Sequence, residues 1–494
     1  MNLALMTENH AADRVALLAE GAATTYGALR AQAAAVRERL VADGIGPDDR
    51  VLLACGNEPA FASAALGVMG VGGVAIPLNP RSPLPELLSR VQLVKPSAVL
   101  VGPSTGWVLD HADVIDSVVI DMSAIMSTGD GSPNDALPNG ALPNDAPPIV
   151  ERSDDDLAFM MLTSGVTGEP KAAMLSHGNL AWAQELTCDG GPDSITAADV
   201  TLGSLPFAHI FGLNVVLLAS LRVGAVCVLQ DRFDTDESLE LIRRHGITRI
   251  AGAPPMWKRW AEADVPDDTL ASVEYAASGA AALPLAVFEA IRDRYGIEIA
   301  EGYGLTETSP IITNSRGITI KPTSVGQVVE GVDLALVDPD GTPVDRGDVG
   351  EIVVRGPGIF QGYLDSPDVT ATVLTEDGWF WTGDVGVLDD DGYLFLVDRV
   401  KDLIIVSGFN VYPAEIESVL MEHPDVRGAV VVGTPDIETG EAVVAHVSGQ
   451  VSADDLRTFT RERMSSYKCP TEYHFVDELP VAATGKVVRK SLRG

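Results

Sequence analysis

Helical stretches and short apolar runs alternate along residues 1–125 of the chain. The pattern predicts a helix over 26–42 and strands over 51–53 and 98–101, because short apolar runs of this kind are typical of buried strands. Alternation of the two element types is typical of layered α/β domains. We therefore expect an α/β fold whose large N-terminal domain holds several sheets with layered helices and strands.

An uncharged stretch of 22 residues, 59–80, is long enough to cross a bilayer. Its middle is rich in glycine and proline, and its apolar residues are mostly alanine and valine. We therefore predict a buried helix over 60–69 and a buried strand over 74–77, and no transmembrane segment. The first residues also lack the basic and apolar regions of a secretory signal.

The alternation continues toward the C-terminus and then gives way to a smaller unit after residue 398. Strands are predicted over 225–229, 332–337, 351–355, 403–406 and 429–433, and helices over 283–295, 413–422 and 453–464. The last 95 or so residues suffice for an independent domain. We predict an N-terminal domain over 1–400 and a small, mobile α+β domain over 401–494. A flexible surface insertion is predicted over 126–148, where Ala-Leu-Pro-Asn repeats.

The charge balance excludes several classes of partner. Asp and Glu number 70 against 34 Lys and Arg, a formal net charge of −36, which disfavours nucleic acid and anionic membranes. The four cysteines show no paired short spacing, which argues against a zinc site or a disulfide framework and favours a reducing, cytoplasmic location. They are Cys55, Cys188, Cys227 and Cys469.

A loop rich in glycine and hydroxyl side chains follows the apolar run at 157–162. Its sequence, LTSGVTGEPK over 162–171, offers glycines for close backbone approach, hydroxyls for phosphate oxygens and one lysine. The loop does not match the Walker A pattern. The residue types therefore predict a phosphate-binding loop of another kind.

Six further segments follow in order: PFAHIFG at 206–212, EGYGLTET at 301–308, WTGD at 381–384, DRVKDLI at 398–404, SGFNVYPAE at 407–415 and TGK at 484–486. Together with the loop they resemble the motifs of the adenylate-forming superfamily, which contains acyl-CoA synthetases, firefly luciferase and peptide-synthetase adenylation domains. The resemblance covers the chain from about residue 25 onward. The chain departs from the family pattern at Val166, in place of threonine, and at Ala172, in place of glycine. It also departs in the lead-in PVAA at 480–483 and in VVEG at 328–331, which lacks an expected proline.

The resemblance implies roles for individual residues. Lys486 would lie between the acyl carboxylate and the α-phosphate, and Glu307 would bind Mg²⁺. Tyr303 would stack on adenine, while Asp384 and Arg399 would hold the ribose. The catalytic residues implied are Lys486, Thr163, Glu307 and His209. The ATP-binding residues implied are Thr163, Ser164, Gly165, Thr167, Gly168, Lys171, Ser278, Gly279, Ala280, Gly302, Tyr303, Gly304, Thr306, Asp384, Arg399 and Lys486. The acyl pocket would contain His209, Gly212, Met256 and Gly304, and the hinge and CoA site Lys401, Ser407, Gly408, Phe409 and Lys468.

The reaction implied is the activation of a carboxylic acid by ATP through an acyl-AMP, followed by transfer to CoA. Joining a carboxylate to the α-phosphate brings two anions together, so positive charge must gather there; Lys171 and Lys486 are the candidates. We predict a medium- or long-chain fatty acid as the substrate, with ATP, Mg²⁺ and CoA. An aryl-CoA ligase, an enzyme that loads a carrier protein and a weakly catalytic nucleotide- or acyl-binding protein stay open, as does a homodimer.

Overall fold

The structure, a computed structural model, describes residues 1–126, 146–163, 170–188, 191, 193–399, 402–406, 409–436, 439–465, 468–480, 489 and 492. The chain packs as two compact units, Met1–Asp333 with Arg355–Phe380, and Leu334–Val354 with Trp381–Gly494. Most of the predicted insertion at 126–148 lies outside the described residues. The chain passes from one unit to the other for the last time at 380/381. The predicted boundary at 400/401 lies after this point, and it stays a prediction for the position of a hinge.

The first unit contains a mostly parallel sheet. Within the described residues six strands lie side by side in the order Val118–Asp121, Ala98–Val101, Arg50–Ala54, Val74–Pro77, Leu157–Thr163 and Lys171–Ser176. All neighbours are parallel except the last pair, which form an antiparallel hairpin. The apolar runs predicted as strands are buried here because helices cover a parallel sheet on its faces.

A second sheet of the first unit is larger. Nine described strands follow the order Gln327–Val328, Thr313–Asn314, Ile299–Tyr303, Tyr275–Ser278, Arg249–Gly252, Val200–Gly203, Val226–Leu229, Val15–Ala19 and Ala22–Thr25. Its central strands are parallel. Parallel strands expose their carboxyl ends at one edge of a sheet, and ligands bind in the crevice outside those ends.

Helices connect these strands. Those of the first unit are Tyr26–Ala42, Pro59–Gly70, Leu84–Val94, Met122–Met126, His177–Cys188, Ala219–Val223, Thr235–His245, Pro254–Glu262, Leu285–Tyr295 and Pro367–Ala371, with 3₁₀ turns at Leu3–Thr7, Pro103–Val114 and Thr306–Thr308 and a π-helix at Phe211–Leu218. The helix Pro59–Gly70 is buried on all sides, as its uncharged sequence predicts. A Cβ on Gly67 would lie 2.5 Å from Val36, so glycine lets this helix approach Tyr26–Ala42.

The second unit is built from two antiparallel sheets and two described helices. One sheet has the order Asp333–Val337, Gly350–Arg355, Phe380–Leu388 and Leu394–Arg399. The other has the order Phe409–Val411, Ile404–Val406, Gly440–Gly449 and Val426–Asp436, with Glu472–Phe475 parallel to Gly440–Gly449. The helices are Pro413–Met421 and Ala453–Arg461.

The α/β fold class is confirmed, with a large multi-sheet unit and a smaller α+β unit. In the part of the chain that the structure describes, no helix is long and apolar enough to span a membrane. The uncharged stretch at 59–80 is instead a buried helix of 12 residues followed by the buried strand Val74–Pro77.

Candidate active site

The phosphate-binding loop predicted from the sequence connects the two strands of a hairpin. Thr163 ends the first strand and faces Lys171, which begins the second. The hydroxyl oxygen of Thr163 is buried and has no hydrogen-bond partner among the described residues. Since a buried hydroxyl without a partner is costly, Thr163 is suited to donate to a ligand oxygen. Ser164, Gly165, Thr167 and Gly168 lie outside the described residues.

Lys171 is held by an aromatic ring. Its Nζ lies 4.9 Å from the centroid of the Tyr363 ring, in a cation–π contact. Tyr363 reaches this place because its segment pairs with the second strand of the hairpin, with a bridge from Ala173 to Tyr363 and a hydrogen bond of 2.9 Å from Leu364 N to Ala172 O. The ring therefore supports the ammonium group beside the loop.

The same tyrosine holds the carboxylate of Glu307. Its hydroxyl donates to Glu307 Oε1 at 2.7 Å, and both side chains are buried. Burial raises the pKa of the Tyr363 hydroxyl, and the negative charge of Glu307 raises this pKa further. Tyr363 consequently remains a hydrogen-bond donor at physiological pH. Lys171, Tyr363 and Glu307 thus form a contiguous row of charged and polar groups, which we call the loop triad.

Glu307 fits a magnesium ion that is shared with phosphate. Mg²⁺ is usually bound by one or two carboxylates together with substrate phosphates and water. Among the described residues no group of three or more His, Cys, Asp or Glu side chains could hold a metal by itself. Tyr363 holds the Glu307 carboxylate through Oε1, and this carboxylate would hold the cation beside the phosphates.

The carboxyl ends of two parallel strands carry the predicted adenine segment. Ser278 ends its strand and pairs in register with Glu301 of the next one. The Ser278 hydroxyl is buried and has no partner among the described residues. Gly279 follows, where a Cβ would lie 3.0 Å from the Phe211 ring, and Ala280 has a left-handed φ of 70°. Backbone and ring edge therefore meet closely at this point.

The segment with Gly302, Tyr303 and Gly304 forms the neighbouring wall. Tyr303 is buried, with 8% of its surface exposed. A Cβ at Gly304 would lie 1.7 Å from the carbonyl oxygen of Pro310, so only glycine fits. Thr306 begins the 3₁₀ turn that carries Glu307, and Leu305 N bonds to the Thr308 hydroxyl at 2.9 Å. This turn fixes Glu307 directly after the glycine-rich wall.

The predicted acyl-pocket residues begin at a tight turn before the π-helix. His209 N bonds to Pro206 O at 3.0 Å, and His209 Nδ1 accepts from Phe211 N at 3.3 Å. A Cβ on Gly212 would lie 2.5 Å from Pro206 O, so this glycine permits the close turn. Met256 lies on the helix Pro254–Glu262 and accepts from Ala253 N through its sulfur at 3.4 Å.

The π-helix is joined to the turn of Glu307. Asn214 is 1% exposed, and its Nδ2 donates to Ser309 O at 2.8 Å. With the contact between Phe211 and Gly279, this bond links the predicted acyl segment to both predicted nucleotide segments. In the first unit the structure therefore brings together the loop triad, the adenine segment and the acyl segment.

The remaining predicted residues belong to the second unit. Asp384 is 6% exposed, and its strand pairs it with Arg399 of the next strand. Glu351 lies beside it. Burial raises the pKa of Glu351, and the negative charge of Asp384 raises this pKa further.

The Lys468 ammonium bonds to both carboxylate oxygens of Glu415 at 2.7 and 2.8 Å. The predicted positions Lys401, Ser407, Gly408 and Lys486, and the side chains of Arg399 and Phe409, lie outside what the structure describes.

Sequence reasoning missed Tyr363. It lies in the segment Gln361-Gly362-Tyr363, 56 residues from its partner Glu307. An aromatic residue after glycine carries no chemical signal by itself, so no local pattern could have found it.

Known proteins match the whole chain. A family model described as "AMP-binding enzyme" matches residues 6–364, and one described as "AMP-binding enzyme C-terminal domain" matches 415–486. A feruloyl-CoA synthase of Amycolatopsis sp is 34% identical over 487 residues, which cover 96% of this chain and 94% of that one. The 4-coumarate–CoA ligase 2 of Nicotiana tabacum is 33% identical over 484 residues, 95% of this chain and 89% of that one.

A solved structure shares the fold. The crystal structure of ATP-bound MatB from Rhodopseudomonas palustris superposes with a TM-score of 0.90 at 30% identity, covering 100% of this chain and 98% of that one. The two family models match the chain in the order of the predicted large N-terminal and small C-terminal domains. The chain therefore belongs to the AMP-binding enzyme family of the adenylate-forming superfamily, as an ATP-dependent acid–thiol ligase that produces CoA thioesters and AMP.

Proposed function

We propose that this protein is an aryl-CoA ligase, which activates an aromatic carboxylic acid through an aryl-AMP and transfers it to CoA. The observation that carries the proposal is the identity of 34% and 33%, over at least 95% of the chain, to two enzymes named for ferulate and 4-coumarate. These relatives favour the aryl alternative over the fatty acid that the sequence led us to predict.

The strand ends beside the acyl segment are closely packed. A Cβ would lie 3.0 Å from the Phe211 ring at Gly279, 3.1 Å from Thr313 O at Gly302 and 1.7 Å from Pro310 O at Gly304. Glycine therefore lets neighbouring segments approach these strand ends. Chain length is a weak determinant of selectivity, since one methylene changes discrimination by only about 1–3 kcal/mol, so the choice between aryl and fatty acids rests on the relatives.

In the first half-reaction the residues of this chain hold the triphosphate and neutralise its charge. Thr163 would donate its partnerless hydroxyl to a phosphate oxygen, and Lys171 would supply positive charge from its place on the Tyr363 ring. Glu307 would hold Mg²⁺, which when bound neutralises phosphate charge. Lys486 would stabilise the charge that develops between the acid and the α-phosphate.

The second half-reaction needs a different arrangement of the second unit. Asp384 and Arg399 would hold the ribose hydroxyls, and rotation about Lys401 would withdraw Lys486 and present the loop at 407–412 to the aryl-AMP. The CoA thiol then displaces AMP. Lys468 would contribute to the CoA site only by leaving its ion pair with Glu415.

The test is an acid panel with two readouts. Purified protein is incubated with ATP and Mg²⁺ and with ferulate, 4-coumarate, benzoate or octanoate, each with and without CoA. Pyrophosphate release reports adenylation, and mass spectrometry of the CoA thioester reports transfer. We expect a higher kcat/KM for at least one aryl acid than for octanoate, with a thioester formed only when CoA is present.

Three results would contradict the proposal. Preference for octanoate would restore the fatty-acid prediction. Pyrophosphate release from aryl acids without any thioester would favour a carrier protein as the acceptor. No release with any acid would favour a binding protein. Glu307→Gln serves as the matched control with reduced adenylation, because it keeps the size of the side chain and removes its charge.

A further inference from the structure

The loop before the acyl segment is held by a buried asparagine. Asn57 lies between the strand Arg50–Ala54 and the helix Pro59–Gly70, and 6% of its surface is exposed. Its Nδ2 donates to Gly203 O at 3.0 Å and to Leu205 O at 2.8 Å. Its Oδ1 accepts from Phe207 N at 3.0 Å. One carboxamide therefore binds three backbone groups of a single loop.

These hydrogen bonds engage both N–H donors and the carbonyl oxygen of the side chain. An asparagine has two N–H donors and one carbonyl oxygen, and each is bonded to a group of the opposite kind. Aspartate in the same shape would present oxygen to two carbonyls, and serine would reach only one of the partners. The site therefore requires a carboxamide. A side chain of the same size without an amide group would fill the space but would not make these three hydrogen bonds.

The loop transmits this position to the acyl segment. Pro206, between two of the bonded residues, accepts from His209 N at 3.0 Å. The carbonyl oxygens of Pro206 and Leu205 would lie 2.5 and 2.7 Å from a Cβ on Gly212, so the first turn of the π-helix rests directly on the loop. A shift of the loop would thus move His209 and Gly212 with it.

The backbone of Asn57 and the neighbouring helix are also held in place. Its backbone N–H donates to Asp231 Oδ1 at 3.0 Å, and Phe207 packs against Phe61 of the following helix with ring centroids 5.3 Å apart. The carboxamide is consequently presented from a rigid support. We infer that Asn57 is a positioning residue for the acid-binding pocket, which fixes His209 and Gly212 through the loop at 203–207 and thereby sets the affinity for the carboxylic acid. This inference rests on the proposed function for the assignment of the pocket.

The experiment compares two asparagines of the same type. Asn2 is 2% exposed, and its carboxamide also donates twice, to Met69 O and Val150 O, and accepts once, from Ala4 N. It lies on the N-terminal turn and contacts none of the predicted site residues in these bonds. Asn57→Asp and Asn57→Ser are therefore matched to Asn2→Asp and Asn2→Ser. KM for the acid, KM for ATP and Tm are measured for all four variants.

We expect Asn57→Asp to raise KM for the acid by about tenfold or more, as for loss of buried hydrogen bonds, while KM for ATP changes less than about twofold. Both Asn2 variants should lower Tm without changing KM for the acid. If Asn57→Asp does not fold, Asn57→Ser provides the same comparison. Equal rises in both KM values, an unchanged KM for the acid, or the same rise in the Asn2 variants would overturn the inference.

The test of Asn57 can fail or succeed independently of the test of the aryl-CoA ligase proposal. The variants are assayed by pyrophosphate release with whichever acid the wild-type protein prefers. A preference for octanoate would contradict the aryl proposal, yet the ratio of KM between Asn57 and Asn2 variants would still decide the role of Asn57.

Discussion

Removing one hydroxyl group, in Tyr363→Phe, separates the two contacts of the loop triad. The substitution keeps the ring 4.9 Å from Lys171 Nζ but deletes the hydrogen bond of 2.7 Å to Glu307 Oε1. Glu307 would then hold a buried carboxylate oxygen that has lost its donor. The hydrogen bond holds Glu307 in its present rotamer, so its loss would free the carboxylate to turn away from the place where it would hold Mg²⁺.

The size of the effect follows from the kind of bond. Hydrogen bonds to charged groups contribute about 1.5–3 kcal/mol, which corresponds to about tenfold to hundredfold in rate. The pair is buried, so water does not replace the lost donor. We expect kcat/KM for ATP in adenylation to fall by this factor, while the cation–π contact keeps Lys171 in place.

The assay is pyrophosphate release at saturating acid with varied ATP, together with the thermal unfolding midpoint. Tyr26→Phe is the matched control, because its hydroxyl also donates in the core, to Ala225 O at 2.8 Å, away from the predicted site residues. Tyr26→Phe should lower Tm and leave kcat/KM unchanged. Tyr363→Leu removes the ring as well and should reduce kcat/KM further.

A double-mutant cycle with Glu307→Gln decides whether the two residues act together. If Tyr363 acts through Glu307, Tyr363→Phe should cost little more once Glu307 is replaced. A folded Tyr363→Phe enzyme with wild-type kcat/KM, or effects of the two substitutions that add fully, would refute this reasoning.

Three further predictions concern other parts of the chain. Lys486→Ala should lower adenylation by about hundredfold or more, while thiolysis of supplied aryl-AMP survives; equal loss in both half-reactions would contradict alternating roles. Burial lowers the pKa of His177 to about 4 from 6.5, so stability should fall by about 3 kcal/mol as pH drops from 6.5 to 4. His177→Asn, which keeps an acceptor for Leu3 N, should flatten that profile in denaturant unfolding. Moderate salt should lower KM for ATP by screening the net charge of −36; an unchanged or rising KM would contradict this.

Elements with a strong local pattern could be predicted from the sequence. The helix Tyr26–Ala42 and the strands Val74–Pro77 and Ala98–Val101 have the predicted bounds, because each apolar run is delimited by polar residues or by glycine and proline. The strand Val426–Asp436 is longer than the predicted 429–433. It pairs along nearly its whole length with Gly440–Gly449, and that pairing overrides the local effect of its glycine and proline.

The residues of the candidate site also fall into two groups, those that the sequence indicates and those that only the tertiary structure shows. Residues such as Glu307 and Lys171 belong to contiguous motifs, so the sequence indicates their chemistry directly. Tyr363 and Asn57 act through partners 56 and up to 150 residues away. The tertiary fold alone brings such groups together, and no periodicity or composition near either residue indicates its partner.

In the proposed reaction the carboxylate of the acid attacks the α-phosphate of ATP. The direct measurement uses an accepted acid labelled with heavy oxygen in its carboxyl group, with mass spectrometry of all phosphate products after turnover with CoA. We expect one labelled oxygen in AMP and none in pyrophosphate. Label in inorganic phosphate with release of ADP, or AMP without label, would contradict it.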